Sequence, residues 1–156
     1  MTSETPTSYS IEVASKPSEV VRVCEEVLAR LTEKGFGKDD VFAVRLTLEE
    51  AFLNAVRHGN KLDPSKTIRV DYAVSEDKLE ITITDQGEGF KPDKVEDPRF
   101  GDNLFKPGGR GLLLMNSYMD TVRYNDQGNS VYMVRYREKP LLRKDSSKKT
   151  EGRDVE

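Results

Sequence analysis

The longest helix predicted from the sequence has the stretch DDVFAVRLTLEEAFLNAVRHGN at residues 39–60. At about 100° per residue, its apolar side chains separate into two stripes. The broader stripe contains Val41, Val44, Leu48, Ala51, Phe52 and Ala55. The narrower stripe contains Phe42, Leu46 and Leu53. A broad apolar stripe of this kind predicts a helix that packs one face against the core of the protein.

Three polar residues run beside the narrower stripe of this helix. Glu50, Asn54 and His58 follow one another at i, i+4 and i+8, so their side chains line up along one ridge. On spacing alone, the pattern favours a solvated ridge between two packed faces over a ridge that faces a polar cleft. His58 stands at the predicted helix end, where a histidine more often caps or packs than catalyses.

The elements on either side of this helix can be read from periodicity and turn residues. Towards the N-terminus, the pattern predicts a strand at residues 8–14 and a helix from about 15 to 34. Towards the C-terminus, it predicts strands at 67–74 and 79–84, a loop over 85–111, a helix at about 110–118, and strands near 121–125 and 130–137. Since the strands come as adjacent hairpins, the sequence predicts an α+β fold. The expected architecture is a two-layer sandwich with a mostly antiparallel sheet covered by helices.

Length and composition restrict the class of protein. The 156 residues suffice for one domain, placed at 8–137 between a flexible N-terminus at 1–7 and a disordered, charged tail at 138–156. No apolar run reaches the roughly 20 residues of a membrane span, and the first residues lack a signal-peptide pattern, which predicts a cytoplasmic protein. A net charge of −3 argues against a broad nucleic-acid-binding surface. Cys24 is the single cysteine and is expected to be a small buried hydrophobe, and a zinc site is not expected.

Two glycine-rich motifs follow the predicted hairpin. The first, DQGEGF at 85–90, places a carboxylate at a strand end, where it can accept a hydrogen bond while the glycines allow a ligand close. The second, GGRGL at 108–112, opens a helix, and free N–H groups at a helix start suit a phosphate. Taken singly, each motif is also compatible with an ordinary turn or a flexible loop.

The three motifs in this order resemble those of the GHKL (histidine kinase-like) ATPase superfamily. The pattern E-A-x-x-N-A-x-x-H-G at 50–59 is similar to its N-box, and D-x-G-x-G-F at 85–90 and G-G-x-G-L at 108–112 are similar to its glycine boxes. Within the superfamily, the N-box and the stretch LMNSYMD at 114–120 resemble those of the bacterial anti-sigma factor serine kinases. The resemblance covers about residues 8–137 and implies the Bergerat-type sandwich with an ATP lid.

The resemblance implies roles for the residues of the first two motifs. Asn54 would hold the Mg²⁺ that bridges the ATP phosphates, and Asp85 would accept a hydrogen bond from the adenine amino group. Gly87 and Gly89 would give the nucleotide room. Glu50 would act as general base towards a protein serine hydroxyl, in line with the need of phosphoryl transfer for a positioned nucleophile.

The third motif and the lid would serve the phosphates. The resemblance implies nucleotide contacts from Gly109, Gly111 and Leu112, with backbone donors at the two glycines. The lid would be residues 91–107. Pro107 stands where a basic phosphate contact is expected, so Lys106 or Arg110 would take that part.

The function implied by the resemblance is that of an ATP-dependent serine-protein kinase and anti-sigma factor in transcription regulation. Such a protein phosphorylates an anti-anti-sigma partner on serine, sequesters a sigma factor and forms a homodimer, here expected through strand 8–14 and the first helix. One alternative is a non-catalytic, ATP-binding interaction module, against which Glu50 at the base position counts. Another is the catalytic half of a histidine kinase, although no dimerisation helix with a phospho-accepting histidine is present in the sequence. A stress or developmental switch whose partner is not a sigma factor also stays open.

Overall fold

The computed structural model describes residues 5–88 and 115–137. The strands are β1 (Thr7–Ala14), β2 (Thr67–Val74), β3 (Lys78–Thr84), β4 (Thr121–Tyr124) and β5 (Ser130–Tyr136). The helices are α1 (Val20–Glu33), preceded by a 3-10 turn at Pro17–Glu19, and α2 (Lys38–Asn54), followed by a π-helical turn at Ala55–Gly59. Residues 115–118 are also helical.

Within the described residues, five strands form one sheet in the order β1-β2-β3-β5-β4. Every neighbouring pair is antiparallel. The side chains of β3 alternate, with Leu79, Ile81 and Ile83 buried and the residues between them half-buried. This alternation gives the sheet one apolar face, which the helices cover. The predicted two-layer α+β sandwich with an antiparallel sheet is therefore confirmed.

The broad stripe of α2 faces the core as the sequence predicts. Val44, Leu48, Ala51, Phe52 and Ala55 are all buried. The predicted packing of the narrower stripe holds only in part: Leu53 lies half-buried against the core, whereas the other end of the stripe is more exposed. There, Phe42 is 49% exposed and meets the ring of Tyr118 edge-on, with 6.3 Å between ring centroids.

The end of α2 also differs from the sequence-based prediction of one helix to residues 58–60. Regular α-helix stops at Asn54, and the next five residues form the π-helical turn. Asn60 N–H donates to the Ala55 carbonyl at 2.8 Å, five residues back instead of four. The wider turn rotates the following residues relative to the α-helical ridge.

A buried ion pair fixes the start of α2 against β5. Arg135 has no solvent exposure, Asp40 is 2% exposed, and Arg135 Nε donates to Asp40 Oδ1 at 2.9 Å. Arg135 Nη1 also donates to the Tyr118 carbonyl at 2.6 Å. One side chain thus links α2, β5 and the helical residues at 115–118.

At the far end of β5, Arg137 joins two loops. Its guanidinium donates to the carbonyls of Lys34, Gly35 and Glu76 at 3.3, 2.9 and 3.1 Å. This bridges the α1–α2 connection and the β2–β3 turn. Gly35 has φ of +90°, a backbone conformation that favours glycine.

Cys24 is buried in α1, and this burial raises the pKa of its thiol to about 11. The prediction of a small buried hydrophobe is confirmed.

Within residues 5–88 and 115–137, no helix has the length and apolar character needed to span a membrane. The proposed lid and tail, at 91–107 and 138–156, lie outside these ranges.

Candidate active site

The polar ridge of α2 changes its exposure along its length. Glu50 and Asn54 are half-buried, whereas His58 is exposed on the π-helical turn. Glu50 and Asn54 are one helical turn apart, so a carboxylate and an amide lie close together on one face. The oxygens of the Glu50 carboxylate and the Asn54 amide have partial solvent access. They can accept hydrogen bonds from a ligand or coordinate a cation.

Backbone strain follows the π-helical turn. Lys61 and Leu62 have positive φ values of 54° and 62°, and Leu62 N–H donates to the Val56 carbonyl at 2.8 Å. Non-glycine residues rarely adopt this conformation, and both π-turns and such strained residues concentrate at functional sites. The strain marks the C-terminal end of α2 as a candidate site.

The same end of the helix packs against the first glycine motif. A Cβ atom at Gly59 would overlap the Asp85 carboxylate, and one at Gly87 would overlap the Gly59 carbonyl. Asp85 Oδ1 accepts from the Gly87 N–H at 2.8 Å. Only glycine fits these two close approaches. The fold therefore brings together the motifs at 50–59 and 85–90, which are separate in sequence.

The electrostatics of Asp85 are those of a partly desolvated carboxylate. Burial raises its pKa, and the Gly87 N–H and the charge of Lys66 oppose that rise. Burial also raises the pKa of Tyr124 on β4, with a further contribution from the charge of Asp85. Asp85 is thus a half-buried carboxylate whose charge is felt by a tyrosine of another strand.

Sequence reasoning missed Asn60, which is fully buried beside Asp85. Its Nδ2 donates to the Thr67 carbonyl at 3.0 Å, and its Oδ1 accepts from the Gln86 N–H at 2.8 Å. Gln86 Oε1 accepts in turn from the Thr67 N–H at 2.7 Å. In the sequence, an asparagine after a helix-ending glycine indicates only a helix end, since its partners lie 7 and 26 residues away.

The structure describes four of the predicted site residues, namely Glu50, Asn54, Asp85 and Gly87. The predicted nucleotide contacts that fall outside the described residues are Gly89, Lys106, Gly109, Arg110, Gly111 and Leu112. Among the described residues, no group of three or more His, Cys, Asp and Glu side chains could hold a metal ion.

Comparison with known proteins places this site in a family. A model of the histidine kinase-like ATPase domain matches residues 13–135. The chain belongs to the histidine kinase-like ATPase family. The resemblance to the GHKL superfamily is therefore confirmed, and the observed sandwich is the fold expected for such an ATPase domain.

Relatives of this ATPase domain include several proteins named serine-protein kinase RsbW. The one from Bacillus licheniformis is 34% identical over 133 residues, which cover 78% of this chain and 81% of the relative. The one from Listeria monocytogenes serotype 4a is 28% identical, covering 81% and 85%. The one from Bacillus subtilis is 32% identical, covering 65% and 68%. The ATPase domain thus groups with serine-protein kinases, as the motifs predict.

Proposed function

We propose that this protein is an ATP-dependent serine-protein kinase that also acts as an anti-sigma factor. It phosphorylates an anti-anti-sigma partner on a serine and sequesters a sigma factor when that partner is absent. The observation that carries the proposal is the placement of Glu50 and Asn54 on the helix whose end packs against Asp85. One rigid element then serves both the nucleotide and the reacting serine. Similarity to the serine-protein kinases supports the same function.

The surroundings of Asp85 fit an adenine base. A carboxylate has about four acceptor positions, and the Gly87 N–H uses one of them. Partial burial removes part of the hydration of the carboxylate, so a donor from a ligand can replace water at its remaining acceptor positions. Gly59 and Gly87 allow the end of α2 and the turn after β3 to pack closely together, which fixes the backbone that carries Asp85.

The phosphates and Mg²⁺ fit the ridge of α2. Mg²⁺ in nucleotide sites takes one or two protein oxygens together with phosphate oxygens, and Asn54 would supply one of them. When bound, the cation neutralises charge on the phosphates. Glu50, one turn before Asn54, would accept the proton of the serine hydroxyl or orient it. Backbone donors of Gly109 and Gly111 would complete the phosphate contacts.

Phosphate transfer tests this function directly. The protein is incubated with radiolabelled ATP, Mg²⁺ and candidate anti-anti-sigma proteins of the same genome. We expect label on a serine of one candidate and co-purification of a sigma factor when that candidate is left out. ATP binding without any transfer would favour a non-catalytic interaction module.

The adenine contact predicts opposite effects of Asp85→Asn on binding and stability. The amide can present a donor to the adenine amino group, so ATP affinity should fall by about 1.5–3 kcal/mol, the usual scale for hydrogen bonds to charged groups. The apo variant should unfold at a higher temperature at neutral pH, because a desolvated charge is removed. Calorimetric titration and thermal unfolding measure the two effects, and unchanged ATP affinity would contradict the contact.

The sign of the stability effect follows from the pKa of Asp85. Burial raises the folded-state pKa above its ordinary value of 3.8. The wild-type protein therefore loses stability as the pH rises from that ordinary value through the raised one. Asp85→Asn has no such titration, so the two unfolding temperatures should diverge over this window and stay apart at higher pH.

The proposal includes a homodimer formed through β1 and α1. Among the described strands, β1 lies at the edge of the sheet, where a second chain can pair with it, and Val21 of α1 is 58% exposed. Sedimentation at micromolar concentration should give a dimer, and a monomer with and without nucleotide would remove this part. The proposal also includes a cytoplasmic location, where the partner proteins are found. It does not include a direct contact with nucleic acid.

A further inference from the structure

Three residues beside the candidate adenine site form a closed set of hydrogen bonds, here called the Asn60 clasp and consisting of Asn60, Thr67 and Gln86. Asn60 uses both ends of its amide, as donor to the Thr67 carbonyl at 3.0 Å and as acceptor from the Gln86 N–H at 2.8 Å. The Gln86 side chain closes the set by accepting from the Thr67 N–H at 2.7 Å. Asn60 has no solvent exposure, so its two amide bonds are shielded from water, whereas the bond between Gln86 and Thr67 lies at the surface.

The clasp joins three parts of the fold at one point. Asn60 follows the π-helical turn, Thr67 begins β2, and Gln86 follows β3. The Asn60 N–H also donates back to the Ala55 carbonyl at 2.8 Å, so its position is tied to the end of α2. The turn after β3 is thereby attached to the helix that carries the phosphate-side residues.

Hydrogen bonds before and after Asp85 fix the backbone at this residue. Its own N–H donates to the Asn129 carbonyl at 2.9 Å, and the next N–H, that of Gln86, is held by Asn60. The following N–H, that of Gly87, binds the Asp85 carboxylate itself. Three successive N–H groups are satisfied in fixed directions, which leaves the carboxylate little freedom. Binding of a ligand to this preorganised acceptor then costs the protein less conformational entropy.

We propose that Asn60 is a positioning residue for recognition of the nucleotide base, acting through Asp85. The inference rests on the proposed contact between Asp85 and adenine. The clasp requires one donor and one acceptor on the same short side chain, which asparagine provides and aspartate does not. In Asn60→Asp, a carboxylate oxygen faces the Thr67 carbonyl, and the two acceptors repel each other in a buried place.

The clasp should govern the choice between adenine and guanine nucleotides. Adenine presents an amino donor where guanine presents a carbonyl acceptor, so a fixed carboxylate accepts the first and repels the second. Sites built around one hydrogen bond discriminate strongly against the analogue that lacks it. An acceptor that can turn away discriminates less, because it no longer meets the guanine carbonyl at short distance.

The test measures the affinities of ATP and GTP for four variants by calorimetric titration. Asn60→Asp and Gln86→Ala should each weaken ATP binding and reduce the preference for ATP over GTP. For Asn60→Asp we expect a loss of about 10–100-fold in both quantities, the scale of a small misplacement of a binding group. Gln86→Ala removes only the bond to Thr67 and should disturb folding less than Asn60→Asp does. We expect it to lower the ATP affinity and the preference for ATP in the same direction, but by less.

Arg137→Ala is the matched control for a loss of stability alone. Arg137 links loops at the end of β3 opposite to Asp85, and the seven residues of that strand separate the two places by about 20 Å. This variant should lower the unfolding temperature and keep both nucleotide affinities. A general loss of stability does not change the preference for ATP over GTP.

Asp85→Asn separates this inference from the function on which it rests. If Asp85→Asn retains the wild-type preference for ATP, the base contact itself is wrong. If Asp85→Asn loses the preference while Gln86→Ala and any folded Asn60→Asp protein retain it, the base contact stands and the positioning role is wrong. Loss of the preference in all three, with Arg137→Ala unchanged, supports the role of Asn60.

Discussion

Replacing Glu50 by glutamine is expected to slow phosphate transfer to the partner serine by about 10²–10⁴-fold, the usual contribution of a positioned base. The amide keeps the size and polarity of the side chain but cannot take a proton. ATP should still bind, because Asp85 and Asn54 are unchanged. Sequestration of the sigma factor should largely survive, since docking does not need a proton acceptor. Single-turnover transfer of labelled phosphate measures the rate.

Two further variants define what a change at Glu50 means. Glu49→Gln alters the adjacent carboxylate, also half-buried on α2 but on a different side of the helix, and should keep the wild-type rate. Asn54→Ala should instead weaken the Mg²⁺-dependent binding of ATP. Equal rates for the wild type and Glu50→Gln would show that Glu50 is not the base. Binding of ATP and the sigma factor without transfer by either protein would leave the non-catalytic module as the better description.

Arg135→Met should lower the free energy of unfolding by about 3–5 kcal/mol, the usual result of removing one partner of a buried ion pair. The carboxylate of Asp40, only 2% exposed, would stay in the interior without the guanidinium that now lies 2.9 Å from it. The Tyr118 carbonyl would lose its 2.6 Å hydrogen bond as well. Urea unfolding followed by circular dichroism measures the loss.

The comparison with other variants shows whether charge burial is the cause. Asp40→Leu combined with Arg135→Met removes both charges and should recover much of the lost stability, because no charge is then buried at this place. Arg69→Ala breaks the exposed pair of Arg69 with Asp71, at 3.0 Å, and should change stability by at most about 1 kcal/mol. A loss in Arg135→Met no larger than that in Arg69→Ala would contradict the explanation.

The sequence by itself determined the elements and the family. Period-two alternation marks β3, and the broad stripe from Val44 to Ala55 marks the buried face of α2, because burial of one face imposes a repeat on nearby residues. The three motifs at 50–59, 85–90 and 108–112 resemble those of the GHKL superfamily in residues, order and spacing, and this resemblance points to the ATPase family. The resemblance also implies the roles of Glu50, Asn54 and Asp85.

Only the tertiary structure decided how the candidates are held. The overlap that forces glycine at Gly59 involves Asp85, and the partners of Asn60 lie 7 and 26 residues from it. Arg135 meets Asp40 across 95 residues of chain. Periodicity reports which face of an element is buried, and it carries no information on which side chain from another element lies opposite. The packing of the whole domain sets those pairings, and with them the π-helical turn that brings Asn60 to Gln86.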